Sequence, residues 1–212
     1  MPYGLKVVVV MAFNIITWPA WGLALADRWL FRSERAFDFF SKLLSLFPGR
    51  TGQYLRTSFY VRTLVHCPYD LMVGFGSFFS HPTAEVGRQV SIASFSIIGT
   101  GTLEDGVMIS SRVSVLSGKH HHGDGSTGPG AERGVRYERV TIGRGTWVGE
   151  GAVIMADVGE RCIISAGSVV TKVVPPYTTA IGNPARFVKR DNDVLVESEV
   201  GKANLAVHPV HG

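Results

Sequence analysis

Between residues 84 and 188 the chain places a branched aliphatic residue at every sixth position. Four trios keep this register: Val86, Ile92 and Ile98; Leu103, Ile109 and Val115; Ile142, Val148 and Ile154; Val158, Ile164 and Val170. The steps between trios are five, 27 and four residues. Five of the twelve residues that follow a mark are glycine, where chance would place about 1.4 given 25 glycines in 212 residues. A period of six suits neither an α-helix nor a half-buried strand, whose periods are about 3.6 and 2. It suits one short strand plus one turn, with the aliphatic pointing inward and a small residue allowing the corner to close. Stacked coils of this kind bury a continuous aliphatic column and pair every strand with the coils above and below. Such a solenoid needs capped ends. The N-terminal helices and the tail after residue 186 are the candidate caps.

Ahead of the repeat, Val7 to Ala26 is twenty residues without a charge, about the length of a bilayer-crossing helix. Trp18, Trp21 and Trp29 are amphipathic rings that settle at membrane interfaces. Pro19 kinks such a helix, and Asn14 and Thr17 add polarity, so both a full span and a shallow anchor are open. Arg28, Arg32 and Arg35 follow, which by the positive-inside rule places the rest of the chain in the cytoplasm. Two other readings compete: a cleaved signal peptide with Lys6 in its basic region and Ala24-Leu25-Ala26 as its cleavage site, and the core helix of a soluble domain. Further on, Phe37, Phe40, Leu43, Leu44 and Phe47 recur at helical spacing and predict an amphipathic helix, ended by Pro48-Gly49. It either packs in the core or lies on lipid headgroups.

The repeat resembles the hexapeptide-repeat acyltransferases, whose fold is a left-handed parallel β-helix with three hexapeptides per turn. The resemblance covers roughly residues 81–188. It becomes specific where VTIGRGTWVG (140–149), AGSVVTK (166–172), VPPY (174–177) and GNPAR (182–186) follow in the family's order. It implies a mainly β fold, to which the uncharged N-terminal stretch adds a helical, membrane-associating segment. The domain plan is then a hydrophobic helix over 1–32, an amphipathic helix and connector over 33–80, the β-helix over 81–188 with a loop at 117–140, and a cap and tail over 189–212. One departure is the four-residue step from Ile154 to Val158, where the family keeps six and a corner is cut short.

The 27-residue interruption contains His120, His121 and His122. Loops this long in a compact solenoid are usually functional or disordered. The resemblance implies an acetyltransferase in which a loop histidine deprotonates the acceptor, which then attacks the thioester of acetyl-CoA. Imidazole suits this step because it titrates near neutral pH. The pattern SGKH favours His120 as the base, with His121 and His122 as alternatives and Asp124 or Glu132 as an orienting carboxylate. The resemblance also implies cofactor-binding positions. Trp147 would lie near the acetyl group, facing the histidine. Ala166, Gly167 and Ser168 would line the pantetheine, their amides meeting its amides. Thr171 and Lys172 would lie near the CoA phosphates, and Asn183, Pro184 and Arg186 near the adenine and 3′-phosphate. A solvated histidine run and a histidine-bound zinc are the competing readings of 120–122. Adjacent histidines make a poor tetrahedral site, so no metal is expected.

Composition agrees with this outline. Charged residues make up 18% of the chain, below the roughly 25% of soluble domains, which points to a large buried surface or a membrane contact. The net charge of +4 is too small for a nucleic-acid footprint. Two cysteines, Cys67 and Cys162, exclude a disulfide framework. The function that the resemblance implies is transfer of acetyl from acetyl-CoA to a sugar hydroxyl in surface-polysaccharide or O-antigen biosynthesis. The resemblance implies a sugar or lipid-linked glycan as acceptor and a homotrimer with its site between neighbouring coils, and the N-terminal segment places the expected location at the cytoplasmic face of the inner membrane, or alternatively the cytoplasm. A soluble acceptor and a non-catalytic scaffold are the alternatives.

Overall fold

The computed structural model describes residues 3–116 and 139–189. Three helices, α1 (Tyr3–Phe31), α2 (Arg35–Ser45) and α3 (Gly49–Thr63), precede a parallel coil built of short strands on three faces. The first face holds Glu85–Val86, Gly101–Leu103 and Val140–Ile142, continued by single bridges at Val158 and Val174. The second runs from Met72–Val73 through Ser91–Ile92, Met108–Ile109, Trp147–Val148 and Ile163–Ile164 to Thr178–Ile181. The third runs from Phe78–Phe79 through Ile97–Ile98, Ser114–Val115 and Val153–Ile154 to Val169–Val170.

Each of the four sequence trios forms one coil, with one mark per face and every mark buried. The register is direct: Val86 stands beside Leu103 and Leu103 beside Ile142 on the first face, and Ile98 beside Val115 beside Ile154 on the third. Small residues after the marks are required by coil-to-coil approach. A Cβ on Gly143 would stand 2.4 Å from the amide nitrogen of Glu160. The short step from Ile154 is taken up at the corner, where the Val158 amide bonds the Thr141 carbonyl at 2.8 Å.

A second inward column, two residues before the marks, is also buried: Ala84, Val90, Val107, Val113, Ala152 and Cys162. Where this column is polar, the hydroxyl serves the next coil. Ser77 Oγ accepts the Ser96 amide (2.8 Å), Ser96 Oγ that of Val113 (3.1 Å), and Thr146 Oγ1 that of Cys162 (3.0 Å). Buried hydroxyls are tolerated because they are bonded.

The coil begins earlier than the expected boundary at residue 81. His66 bridges to Glu85, and Met72–Val73 and Phe78–Phe79 are already strands of the second and third faces. Val73 and Phe79 stand six apart and Gly74 follows Val73, so the period itself reaches back into the stretch taken as a connector. The second correction is α3, which lies beyond the expected helix end at Pro48-Gly49. It escapes the periodicity test because it is buried on nearly every side, through Leu55, Phe59 and Tyr60 and also through Arg56, Thr57, Ser58 and Thr63. At the other end, Arg186–Lys189 folds back antiparallel on Thr178–Ile181 and closes the second face.

Arg56 joins helices to coil. Its side chain is buried. Its Nη1 donates to the carbonyls of Leu44 (3.1 Å), Ser45 (3.3 Å) and Phe47 (2.8 Å), and its Nε to that of Val73 (3.0 Å). It thus satisfies orphan carbonyls at the end of α2 and anchors α3 to the first coil. Burial lowers its pKa from the usual guanidinium value. Arg56→Met removes all four bonds, leaving the Leu44 and Ser45 carbonyls to the amides of Phe47 and Gly76 and taking the guanidinium donor from the carbonyl of buried Val73. Denaturant unfolding of this variant is expected to show a loss of about 3 kcal/mol.

Beside it, Tyr60, Ser41 and Phe79 form a closed set. The Ser41 hydroxyl donates to the Phe79 carbonyl (2.7 Å), the Tyr60 hydroxyl to Ser41 Oγ (2.8 Å), and the Phe79 amide to the Tyr60 oxygen (3.3 Å). Burial pushes the phenol up to about 12, against the pull of these bonds. The unfolded chain ionises Tyr60 near pH 10, so it holds fewer protons than the folded chain between about pH 10 and 12. Stability contributed by this group is complete below about pH 10 and is lost as pH rises toward 12. Tyr60→Phe is expected to flatten that part of an alkaline stability profile measured by urea titration.

Candidate functional site

Three edges separate the three faces, and two of them carry the expected residues. The edge between the third and first faces is where the chain leaves the coil at Leu116 and returns at Arg139. Two further corners stack below it on the same edge, Met155–Asp157 and Thr171–Val173. Lys172 is exposed there, two coil steps, about 10 Å, from the root of the interruption. His120, His121 and His122, with Asp124 and Glu132, lie outside the described residues.

The edge between the second and third faces carries the rest. Ala166 and Gly167 form its corner in one coil, and Asn183 and Pro184 its corner in the next. Both pairs are exposed at the turn. Arg186 is exposed on the closing strand, paired with Ile181. Trp147 projects outward from the second face, 44% exposed, with its indole Nε1 donating to Ser110 Oγ at 3.2 Å. That bond fixes the ring across adjacent coils and leaves one side of it open.

One expectation is corrected. Ser168 is a core residue of the second inward column: its Oγ accepts the Gly182 amide (3.1 Å) and bonds the Ala180 carbonyl (3.4 Å). The amides of Gly167 and Ser168 are already bonded, to Glu150 O (2.8 Å) and Ser165 O (3.2 Å), so neither is free to meet a ligand amide. The set is also split within one chain. Trp147 sits on the second face, opposite the edge that carries the histidine loop root. Residues 116 and 139 thus lie across the coil from Trp147 within one chain.

Arg139 was not singled out by the sequence. It stands at the loop's return, pairing with Glu85 at 2.5 Å and donating to Thr102 Oγ1 (3.1 Å) and the Thr83 carbonyl (3.0 Å). It thereby ties the start of Val140–Ile142 to two preceding coils. Its signal was its place, immediately before the VTIG motif. Asp105, at the opposite end of the first face, is held below the usual carboxylate range chiefly by the Arg88 amide hydrogen bond. That bond (2.7 Å) locks a corner. Among the described residues, no three His, Cys, Asp or Glu side chains gather to hold a metal.

Known proteins share this architecture. The model of the bacterial transferase hexapeptide (six repeats) matches residues 139–172. Over that stretch the chain carries the hexapeptide repeat of bacterial transferases. It is 37% identical over 116 residues to serine acetyltransferase of Escherichia coli (strain K12), covering 53% of this chain and 39% of that protein. The chain thus spans about two fifths of the length of that relative. Maltose O-acetyltransferase from Clostridium difficile 630 superposes with a TM-score of 0.63 at 23% identity, over 79% of this chain and 91% of that one. A galactoside acetyltransferase in complex with coenzyme A superposes at 0.58 and 24% identity, over 74% and 81%. The shared fold is the left-handed β-helix with parallel sheets.

The open ring of Trp147 and the tight corner after it should respond oppositely to substitution. Trp147→Phe is expected to change unfolding free energy by less than about 1 kcal/mol. Gly149→Ala puts a Cβ 2.6 Å from the Ala166 amide nitrogen. It should cost more than about 2 kcal/mol in the same denaturation experiment.

Proposed function

We propose that the chain is an acetyltransferase that moves acetyl from acetyl-CoA to a sugar hydroxyl, working as a homotrimer at the cytoplasmic face of the inner membrane. The observation that carries the reading is the line along the third–first edge: the root of the histidine loop at one end and exposed Lys172 two coils away. An extended CoA lying along this edge would present its thioester to the loop and its phosphates to Lys172 and Thr171. A loop histidine, His120 first and His121 or His122 otherwise, takes the acceptor O–H proton. The oxygen attacks the thioester carbonyl. The tetrahedral intermediate then collapses to the acetyl ester, and the departing thiolate recovers the proton from the imidazolium. Acetyl-CoA is the second substrate here and leaves as CoA.

The split of the expected residues over two edges supports a site between two copies. One chain would supply its loop and Lys172. Its neighbour would supply Trp147 and the Ala166, Gly167, Asn183, Pro184 and Arg186 edge. The outward side chains agree. The second face exposes Met72, Met108 and Trp147 and the third exposes Ile97, whereas the first carries Glu85, Thr102 and Thr141. A ring that packs the second face of one copy near the third of the next would cover the apolar faces and leave the polar one in water.

The sugar, lipid-linked acceptor is favoured by the apolar helical layer that flanks the coil, which would hold the enzyme where such an acceptor lies. The identity with a serine acetyltransferase favours a second reading, a soluble amino-acid hydroxyl. The same mechanism serves both.

Calorimetry with the full chain is expected to show micromolar CoA binding, weakened about three- to tenfold by Lys172→Ala and by Arg186→Ala. His120→Ala should lower turnover about 10²- to 10⁴-fold with CoA affinity little changed. Mixed trimers of His120→Ala and Trp147→Ala chains should regain activity, because one site in such a trimer keeps both groups. A folded trimer that binds no CoA would overturn the reading in favour of a scaffold.

A further inference from the structure

The helix α1 is long and apolar enough to cross a membrane, yet it is bound to α3 over much of its length and to α2 near its C-terminal end. Its inner stripe carries the polar residues. Thr17 Oγ1 and Ser58 Oγ share a hydrogen bond at 3.0 Å, Arg62 Nε donates to Asn14 Oδ1 at 3.3 Å, and the Arg62 guanidinium stands 6.0 Å from the Trp21 ring. The two helices run parallel, since Phe13 meets Tyr54 and Thr17 meets Ser58 four residues on. In turn α3 is tied to the coil through Arg56 and through Thr57, whose hydroxyl donates to the Leu71 carbonyl at 3.0 Å. To cross a bilayer, α1 would either draw Arg50, Arg62 and the coil in with it or abandon these partners.

The opposite side of α1 is bare. Ile15 is 75% exposed and Trp29 82%, with Val8, Met11 and Trp18 on the same side. The outer side of α2, turned away from the coil, adds Phe39 and Leu43. Pro19 has no N–H to give to the Ile15 carbonyl, which therefore needs water or a headgroup rather than hydrocarbon.

Charge identifies the occupant. Lys6 stands near one end of α1 and Arg28, Arg32 and Arg35 cluster at the other, and none of them forms an ion pair among the described residues. The neighbouring acids are engaged: Asp27 accepts the Ala36 amide, Glu34 pairs with His81 and Asp38 with Lys42. Lys6, beside Arg50 and Tyr54, and Arg28, beside Glu34 and Phe37, stand on the inner side of α1 near its two ends, and an apolar strip backed by cations at both ends of its helix fits an anionic bilayer surface. It fits a second copy of this chain poorly, because that chain is itself cationic at +4.

We propose that α1 lies in the plane of an anionic membrane, its outer side sunk to the headgroup–acyl boundary, and does not span it. The proposal rests on the membrane reading above and specifies its geometry. The test uses the full chain with a single tryptophan at Trp18 or at Trp29, the other three changed to Phe. Each variant is reconstituted from detergent into phosphatidylglycerol vesicles brominated at shallow or deep acyl positions. The unsubstituted chain is measured alongside to show that the variants retain the native profile.

An in-plane helix places both rings at one shallow depth, with shallow bromines quenching both most strongly. A spanning helix separates them by about 16 Å of rise, and unequal depths would overturn the in-plane geometry while leaving the membrane reading intact. Absence of quenching at both depths would overturn both. Partition onto phosphatidylglycerol vesicles should also fall about fivefold for each of Arg28→Gln and Arg35→Gln. Equal partition onto phosphatidylcholine would overturn the anionic component.

Discussion

Everything in this molecule depends on coils that stack one strand spacing apart. That spacing leaves room for one inward side chain per strand and for little at the residue that follows it. Gly143, Gly149 and Gly159 sit where any Cβ would strike the backbone of the next coil within about 2.6 Å. The outward residues then fall into rows along each face, and the corners fall into lines along each edge. A functional group on such a scaffold is positioned by its coil number and its edge, so a line of corners is a ready-made track for an extended ligand. The long interruption takes the place of one corner on one such line.

The helical layer solves the problem of the open first coil. A solenoid end leaves backbone groups and aliphatic side chains uncovered. Here α2 and α3 cover them, and Arg56 reaches across to four carbonyls from two elements. The aromatic set of Phe37, Phe59, Tyr60 and Phe79 carries the core from helix to coil with ring centroids 4.9 to 6.4 Å apart. The opposite end is closed by the antiparallel return of Arg186–Lys189, so the same segment caps the coil and presents Arg186.

The repeat was legible because burial in a solenoid is periodic. Val86 through Val170 announced the coils by position alone, and the glycine bias announced their close stacking. The earliest coil was less legible, because its marks are Val73 and Phe79 rather than a full aliphatic trio. The helix α3 was hidden for the opposite reason. It is enclosed on both sides, and its buried residues include Arg56, Thr57, Ser58 and Thr63, which read as surface until their partners are known. In the candidate site, Lys172 and Asn183 are exposed at corners, as a turn motif suggests, and Arg186 is exposed on the closing strand. Ser168 looked like a corner residue because it is small and polar, but the second inward column claims it. That column falls two residues before each mark and mixes Val, Ala, Cys, Ser and Thr, a set with no common hydropathy.

A division of labour between edges follows from the geometry of a three-faced prism. Any residue at the centre of one face points away from the opposite edge, however many coils the prism has. Trp147 and the loop root stand in that relation, and no rearrangement of side chains in one chain can bring them together. If both serve one reaction, a second copy must bring its face to the first copy's edge. The same constraint makes a cyclic assembly economical: each copy has one face and one edge to offer, and in a closed ring every edge meets a face. The helical layer, at the end of each coil and outside this ring, would remain free to meet a membrane.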